Sequence, residues 1–211
     1  MRKIIGITGL KGSGKDTIAK IICENDPSFV TLAFADCVKD VASVMFGWSR
    51  EMLSGRTVES REWREQPDIY WSNAFGFEFT PRRALTTIGT DIVRPTFLKH
   101  IWDLNVKKKI LDDNEHNFVI TDVRFPNELE MLRSIGGTIV RVERGDRPEY
   151  WEAAEKYNKG MDLTEKEKVM LDAVHPSERD WIEVDNPDCV FFNNSTISAL
   201  QENVLWYLEN M

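Results

Sequence analysis

Cysteine is scarce in this sequence: the three present, Cys23, Cys37 and Cys189, are odd in number and show no C-x-x-C spacing. That excludes a disulfide framework and a thiolate zinc site, and it suits a reducing compartment. Long apolar runs are missing as well. The opening "KIIGI" is too short for a signal-peptide core or a membrane span, and no later run reaches the length a span needs. There is no excess of positive charge, since 27 Lys and Arg stand against 35 Asp and Glu for a net charge of −8. A sequence-independent nucleic-acid binder needs a strongly basic face, so the expectation is a cytoplasmic protein with neither a nucleic-acid nor a membrane partner. Repeats and low-complexity tracts are lacking too. What remains is a chain of 211 residues, 42% hydrophobic, enough for one well-buried domain over 1–211.

Short β-branched runs alternate with helical periodicity. "KIIGIT" reads as a strand, and "DTIAKIICEN" places Ile18, Ile21 and Ile22 on one helical face. The run Phe29 to Ala35 reads as a second strand before a helix with Val38, Val41, Ala42 and Met45 on its apolar face. From about Ser49 to Glu78 charge mixes with Trp63, Trp71 and Phe75 without clean periodicity, which predicts an excursion from the sheet. Trp63, Trp71 and Trp151 look exposed. Helices follow in "PRRALTTIGTDIVRPTF", with Pro81 in the first turn, and in "FLKHIWDLNVKKKILDD". Next come a strand in "NFVITD", a helix in "ELEMLRSIG", a strand in "TIVRVER", a charged and partly helical stretch, a strand in "CVFFNN" and a closing helix. This alternation predicts a mostly parallel sheet covered on both faces, a three-layer α/β/α arrangement.

Between the first strand and the first helix stands "GLKGSGKDT". A strand that turns through glycines into a helix aims backbone N–H groups and the positive helix end at one point, where an anion fits. Gly9, Gly12 and Gly14 permit the wrap, and Lys15 supplies a point charge for the β- and γ-phosphates. Asp16 stands where a magnesium-binding hydroxyl is usual, and Thr17 follows one place later. Nucleotide kinases often shift that hydroxyl in the same way, which points toward a small-molecule kinase. Two readings of Asp16 stay open: it holds a magnesium-bound water, or it only complements the helix N-terminus.

Asp122 lies at the carboxyl end of a buried strand, the edge on which open parallel sheets bind ligands, and so suits orientation of Mg²⁺ and its waters. Arg124 would point into the same crevice. Basic candidates to converge on a transferred phosphoryl group are Lys39, Arg82, Arg83, Arg124 and Arg144. "IGTD" joins a flexible backbone to a hydroxyl and a carboxylate suited to a base edge or a sugar, and it reads equally well as a helix terminus. Two readings of "FFNNSTISAL" stay open: a plain strand, turn and N-capped helix, or a turn whose Asn193 and Asn194 offer amides to adenine at the sheet's edge. His175 is accounted for by the start of a short helix, and transfer to an already ionised phosphate needs no general base.

Taken together, these residues make the chain resemble the bacteriophage deoxynucleoside monophosphate kinases, an adenylate-kinase-like branch of the P-loop kinases, over nearly its whole length. The resemblance rests on "GLKGSGKDT", "LAFADCVKDVA", "RRALTTIGTD" followed by Trp102, "ITDVRFPNE", "RVER", "HPSE" and the late asparagine turn. It implies transfer of the γ-phosphate of ATP to a deoxynucleoside monophosphate (dNMP), with Mg²⁺, for phage DNA precursor supply in the host cytoplasm. Carried over residue by residue, ATP falls to Lys11, Gly12, Ser13, Gly14, Lys15, Asp16, Thr17 and Asn194. The acceptor falls to Val38, Lys39, Arg82, Arg83, Gly89, Thr90, Asp91, Trp102, Asp122, Arg124, Glu128 and Glu178. Lys15, Arg83, Arg124 and Arg144 become the catalytic cations, and Asp16 and Asp122 the metal-side carboxylates. Residues 49–80 become an acceptor-side insertion and 144–180 a lid. The partners are then ATP and a dNMP, with a homodimer left open. Two other readings are a P-loop kinase for another small acceptor, such as a dephospho-coenzyme or a sugar acid, and an ATP-gated binding protein.

Overall fold

The computed structural model describes residues 2–211. In chain order the elements are β1 (Ile4–Thr8), α1 (Lys15–Asn25), β2 (Phe29–Leu32), α2 (Phe34–Phe46), α3 (Arg50–Ser54), α4 (Val58–Glu65), α5 (Ile69–Phe75) and α6 (Pro81–Thr86). A π-helical turn (Thr87–Ile92) leads to α7 (Val93–Thr96) and α8 (Ile101–Asp112). Then follow β3 (Asn117–Ile120), α9 (Pro126–Ser134), β4 (Thr138–Glu143), α10 (Trp151–Asn158), α11 (Glu165–Asp172), α12 (Pro176–Arg179), β5 (Cys189–Phe192) and α13 (Ile197–Asn210). Two compact units result: one is the stretch up to Ala33 with Lys107–Met211, the other Phe34–Val106. Among the described residues no helix is long and apolar enough to cross a membrane.

The first unit holds a five-stranded sheet of order β2-β3-β1-β4-β5. Every pairing in it is parallel. Strands buried on both faces read as continuous apolar runs, which is how "IIGIT" and "NFVI" look in the sequence. One face, with Ile5, Ile7, Val119, Val140, Val142 and Phe191, packs on Ile18 and Ile22 of α1 and Leu200 and Val204 of α13. On the other face Leu132 of α9 lies against Gly6. Because all strands run one way, the carboxyl ends of β1, β3, β4 and β5 deliver Gly9, Asp122, Glu143 and Asn193 to a single edge. The α10–α12 stretch has its own core of Trp151, Ala154, Leu171, Trp181 and Ile182, joined by Leu10.

The second unit is helical, around Val38, Ala42, Trp48, Leu53, Phe79, Ala84, Ile88 and Trp102. Phe46 stacks on Trp48 at 4.5 Å and meets Trp71 edge-on at 5.0 Å, and Trp63 meets Trp48 at 6.1 Å. Thr57, Asp68 and Thr80 cap α4, α5 and α6 through their side chains.

Four sequence expectations need correction. The apolar run from Phe29 to Ala35 is not one strand: β2 stops at Leu32, because Phe34, Val38 and Ala42, four residues apart, form the buried face of α2. Met45 is 58% exposed, since Phe46 makes the last contact of α2 with the aromatic core. The helix expected from Phe97 starts at Ile101, whose N–H closes a turn on Leu98 O at 3.0 Å. Trp63 and Trp71 pack in the aromatic cluster, and Trp151 is only 3% exposed.

Candidate active site

The phosphate loop follows β1 directly. Gly9 (φ 138°) and Gly14 (φ 108°) occupy backbone that side chains avoid. A Cβ on Gly9 would come to 2.5 Å from Val142 O, and one on Gly14 would run into the Asn193 amide. That amide donates to Ser13 O at 2.8 Å and so braces the loop from the end of β5. Ser13 is buried within the loop, and Lys11, Gly12 and Asp16 are exposed. Thr17 stands in the first turn of α1.

Lys15 Nζ folds over the loop and donates to the carbonyls of Gly9 (2.7 Å) and Leu10 (2.8 Å). Its pKa is lowered to about 8, first by burial and then by the positive charge of Arg124, against the opposing pull of Glu178, Asp16 and Asp122. These groups are therefore near enough to act on one ammonium. Glu178, carried by α12, accepts from Arg124 Nη1 at 2.6 Å and from the backbone N–H of Lys11 at 3.3 Å. Arg124 also reaches Ser177 Oγ at 3.4 Å. The first unit thus brings together Lys11, Gly12, Ser13, Gly14, Lys15, Asp16, Asp122, Arg124 and Glu178.

Glu128 is buried, and its carboxylate accepts from the N–H groups of Arg124 (2.8 Å) and Phe125 (3.1 Å) at the start of α9. There it holds the backbone that presents Arg124. Asn194 takes the N–H of Gly145 at 2.7 Å, at the foot of the α10–α12 stretch. Arg144 is exposed. His175 caps α12, accepting from Ser177 N at 3.2 Å.

Within the second unit, Val38 is buried and Lys39 pairs with Asp36 at 3.5 Å, whereas Asp40 pairs with Arg50 at 2.6 Å. Arg82 is bound to Glu65 at 2.8 Å, and Arg83 lies over the Phe77 ring at 4.3 Å. Gly89, Thr90 and Asp91 fall in the π-helical turn, with Thr90 and Asp91 exposed. π-turns leave a carbonyl out of the helical ladder, and here Trp102 Nε1 donates to Gly89 O at 2.8 Å. Beside it a cavity of about 580 Å³ is lined by Thr90, Arg94, Pro95, Phe97, Leu98 and Lys99.

Two parts of the site escaped sequence reading. Asn193 braces the loop across 180 positions of sequence, and no local signal announces it. Arg141 is the buried arginine of "RVER", held by Asp185 and Glu183; burial alone would lower its pKa, but these carboxylates outweigh it and raise it. A signal for it existed, because a charge in the middle of a doubly buried strand requires a partner.

A parallel sheet whose central strand runs through a glycine loop and a lysine into a helix, with an acidic group and an arginine off the adjacent strand, defines the P-loop kinase class. In fold the chain is similar to dephospho-CoA kinase from Campylobacter jejuni, with a TM-score of 0.50 and 15% identity over 99% of this chain and 97% of that one. At that identity the likeness is one of fold. Residues 58–173, more than half of the chain, match the deoxynucleotide monophosphate kinase family, and the chain belongs to that family. The matched stretch starts after the phosphate loop, so loop and family match are independent observations. A protein of Acanthamoeba polyphaga mimivirus that carries the provisional name deoxynucleotide monophosphate kinase is 29% identical over 98% of this chain and 96% of its own. The deoxynucleoside-5'-monophosphate kinase of Escherichia phage T5 is 28% identical over 63% of this chain and 72% of its own.

Proposed function

We propose that this protein transfers the γ-phosphate of ATP to a deoxynucleoside monophosphate, giving the diphosphate and ADP. The observation that carries the reading is the cluster at the phosphate loop, where Glu178 meets Arg124 and the N–H of Lys11 and where the charges of Arg124, Asp16 and Asp122 act on the Lys15 ammonium. Family membership and the names of the two viral relatives supply the acceptor class.

The loop N–H groups and Lys15 hold the donor phosphates, and Lys15 and Arg124 meet the charge that gathers on the transferred group. Asp16 and Asp122 suit Mg²⁺: among the described residues no group of three or more His, Cys, Asp or Glu could cage a metal, and Mg²⁺ is commonly held by one or two carboxylates, waters and substrate phosphates. When bound, Mg²⁺ supplies charge neutralisation and alignment of the phosphates. Within the second unit the acceptor is assigned to Val38, Lys39, Arg82, Arg83, Gly89, Thr90 and Asp91, with Trp102 holding the turn that carries the last three. The α10–α12 stretch is read as the lid, because it sets Glu178 on the loop. Thr17 and Asn194 belong to the donor side, and Arg144 is a further catalytic cation, at the start of the lid. Three free cysteines suit the reducing cytoplasm, where both nucleotides are found.

The test is ADP formation from ATP and Mg²⁺ with each deoxynucleoside monophosphate, each matching ribonucleotide, and no acceptor. Strong stimulation by at least one deoxynucleotide is expected. Stimulation by none would overturn the acceptor assignment, and a different phosphorylated acceptor or a partner-gated ATP switch would take its place.

A further inference from the structure

Beneath the phosphate loop lies a buried ionic cluster that phosphate chemistry does not touch. Arg141, in β4, is 4% exposed, and Asp185, in the stretch between α12 and β5, is 0% exposed. Asp185 Oδ2 accepts from Arg141 Nε at 2.9 Å and from the Thr8 hydroxyl at 2.8 Å, while Oδ1 takes Arg141 Nη2. Thr8 and Arg141 are register neighbours on β1 and β4. Thr8 is the last residue before Gly9, where the loop begins pressed against Val142 O. The remaining nitrogen, Arg141 Nη1, reaches Glu183 at 3.1 Å and Glu143 at 3.5 Å, and Glu143 in turn holds Arg147 at 3.1 Å. Both ends of the α10–α12 stretch are thereby tied to one guanidinium. Asp185 is also bracketed by two non-glycine residues in left-handed backbone, Glu183 (φ 59°) and Asn186 (φ 41°). Such conformations persist only where the surroundings enforce them.

We propose that Asp185 and Arg141 form a positioning pair for donor binding: through Thr8 they set where the phosphate loop leaves the sheet, and they tie that point to the stretch that follows α12. The inference rests on the phosphotransferase reading only for its kinetic consequence, since the placement of an ATP-binding loop is read by binding alone. Burying an ion pair is poor economy for stability, because well-packed apolar residues of similar volume commonly serve as well, and what such a pair adds is a fixed geometry. A pair that ties Thr8 at the loop entrance to the residues leading from α12 has that role.

The discriminating variant replaces both charges at once, R141M/D185L, in the full chain, and ATP affinity is measured by calorimetry beside the melting temperature. The expected result is a folded protein melting within about 4 °C of the parent, with ATP bound roughly tenfold more weakly. Parental ATP affinity in a folded double variant would overturn the proposal, reducing the pair to packing. Should the double variant not fold, T8V decides, because it removes only the hydroxyl link: a severalfold weaker ATP affinity supports positioning, and parental affinity refutes it. A parent chain that binds ATP but phosphorylates no deoxynucleotide would defeat the functional reading and leave this test standing.

Discussion

Arg124 and Glu178 are joined at 2.6 Å, and the other oxygen of Glu178 lies 3.3 Å from the N–H of Lys11, so a carboxylate occupies the mouth of the phosphate loop. It satisfies donors that a phosphate would otherwise take. Incoming ATP must displace it or bind against its charge. Glu178→Gln keeps the shape and removes the charge, which relieves about 1 kcal/mol of repulsion and predicts roughly fivefold tighter ATP binding. Calorimetric titration with ATP checks this; weaker binding in the variant would show that the carboxylate helps the donor site.

Lys15 carries the clearest pH signature. Burial, and then Arg124, bring its pKa to about 8, so in the free protein the ammonium is present below that value and lost above it. kcat/KM for ATP reports the free enzyme and is expected to fall about tenfold per pH unit beyond about pH 8, while kcat, with phosphates already on the ammonium, holds to higher pH. Stability runs the other way. Between about 8 and the ordinary 10.5 the unfolded chain binds the extra proton, so this group's contribution to stability rises with pH. Lys15→Ala should lower turnover by roughly 10² or more with the fold intact. A kcat/KM profile flat to about pH 9.5 would contradict the assignment.

The donor loop was legible in the sequence because its parts are consecutive: strand, glycines, lysine and helix occupy positions 4–25, and short-range sterics require what is seen. The sheet and the helices beside it followed from periodicity for the same reason, whereas α3, α4 and α5 lie in the stretch that showed none. What stayed hidden depends on contacts between distant positions. Phe34 could end a strand or open a helix until it is seen buried on α2 with Val38 and Ala42, and Asn193 became a brace for Ser13 only once β5 lay beside the loop. "RVER" offered two arginines, and choosing Arg141 over Arg144 as the one anchored in the fold needed the buried Asp185 44 positions later.

Asp16 separates its two readings by experiment. Gly14 at the N-cap offers no side-chain hydrogen bond, and Asp16 in the first turn of α1 is exposed and close enough to Lys15 to act on its charge. Asp16→Ser is expected to raise the Mg²⁺ concentration needed for half-maximal rate by roughly tenfold, as loss of an outer-shell ligand does. A Mg²⁺ titration superimposable on the parent's would leave the carboxylate as a partner of the helix end alone.

Trp102 supports the π-helical turn from which Gly89, Thr90 and Asp91 project. Its indole is 5% exposed and its single N–H is engaged by Gly89 O at 2.8 Å, so it shapes the backbone of "IGTD" and has no donor left for a nucleotide. Trp102→Phe retains an aromatic ring in the core and removes the donor. The expected cost is about 1 kcal/mol, or about 2–4 °C in melting temperature. If the turn presents acceptor-binding groups, KM for the deoxynucleotide rises severalfold while KM for ATP stays at the parent value, because the donor loop belongs to the other unit. Steady-state kinetics with each substrate varied in turn reads the split. A lower melting temperature with both KM values unchanged would make Trp102 a packing residue and remove "IGTD" from the acceptor site.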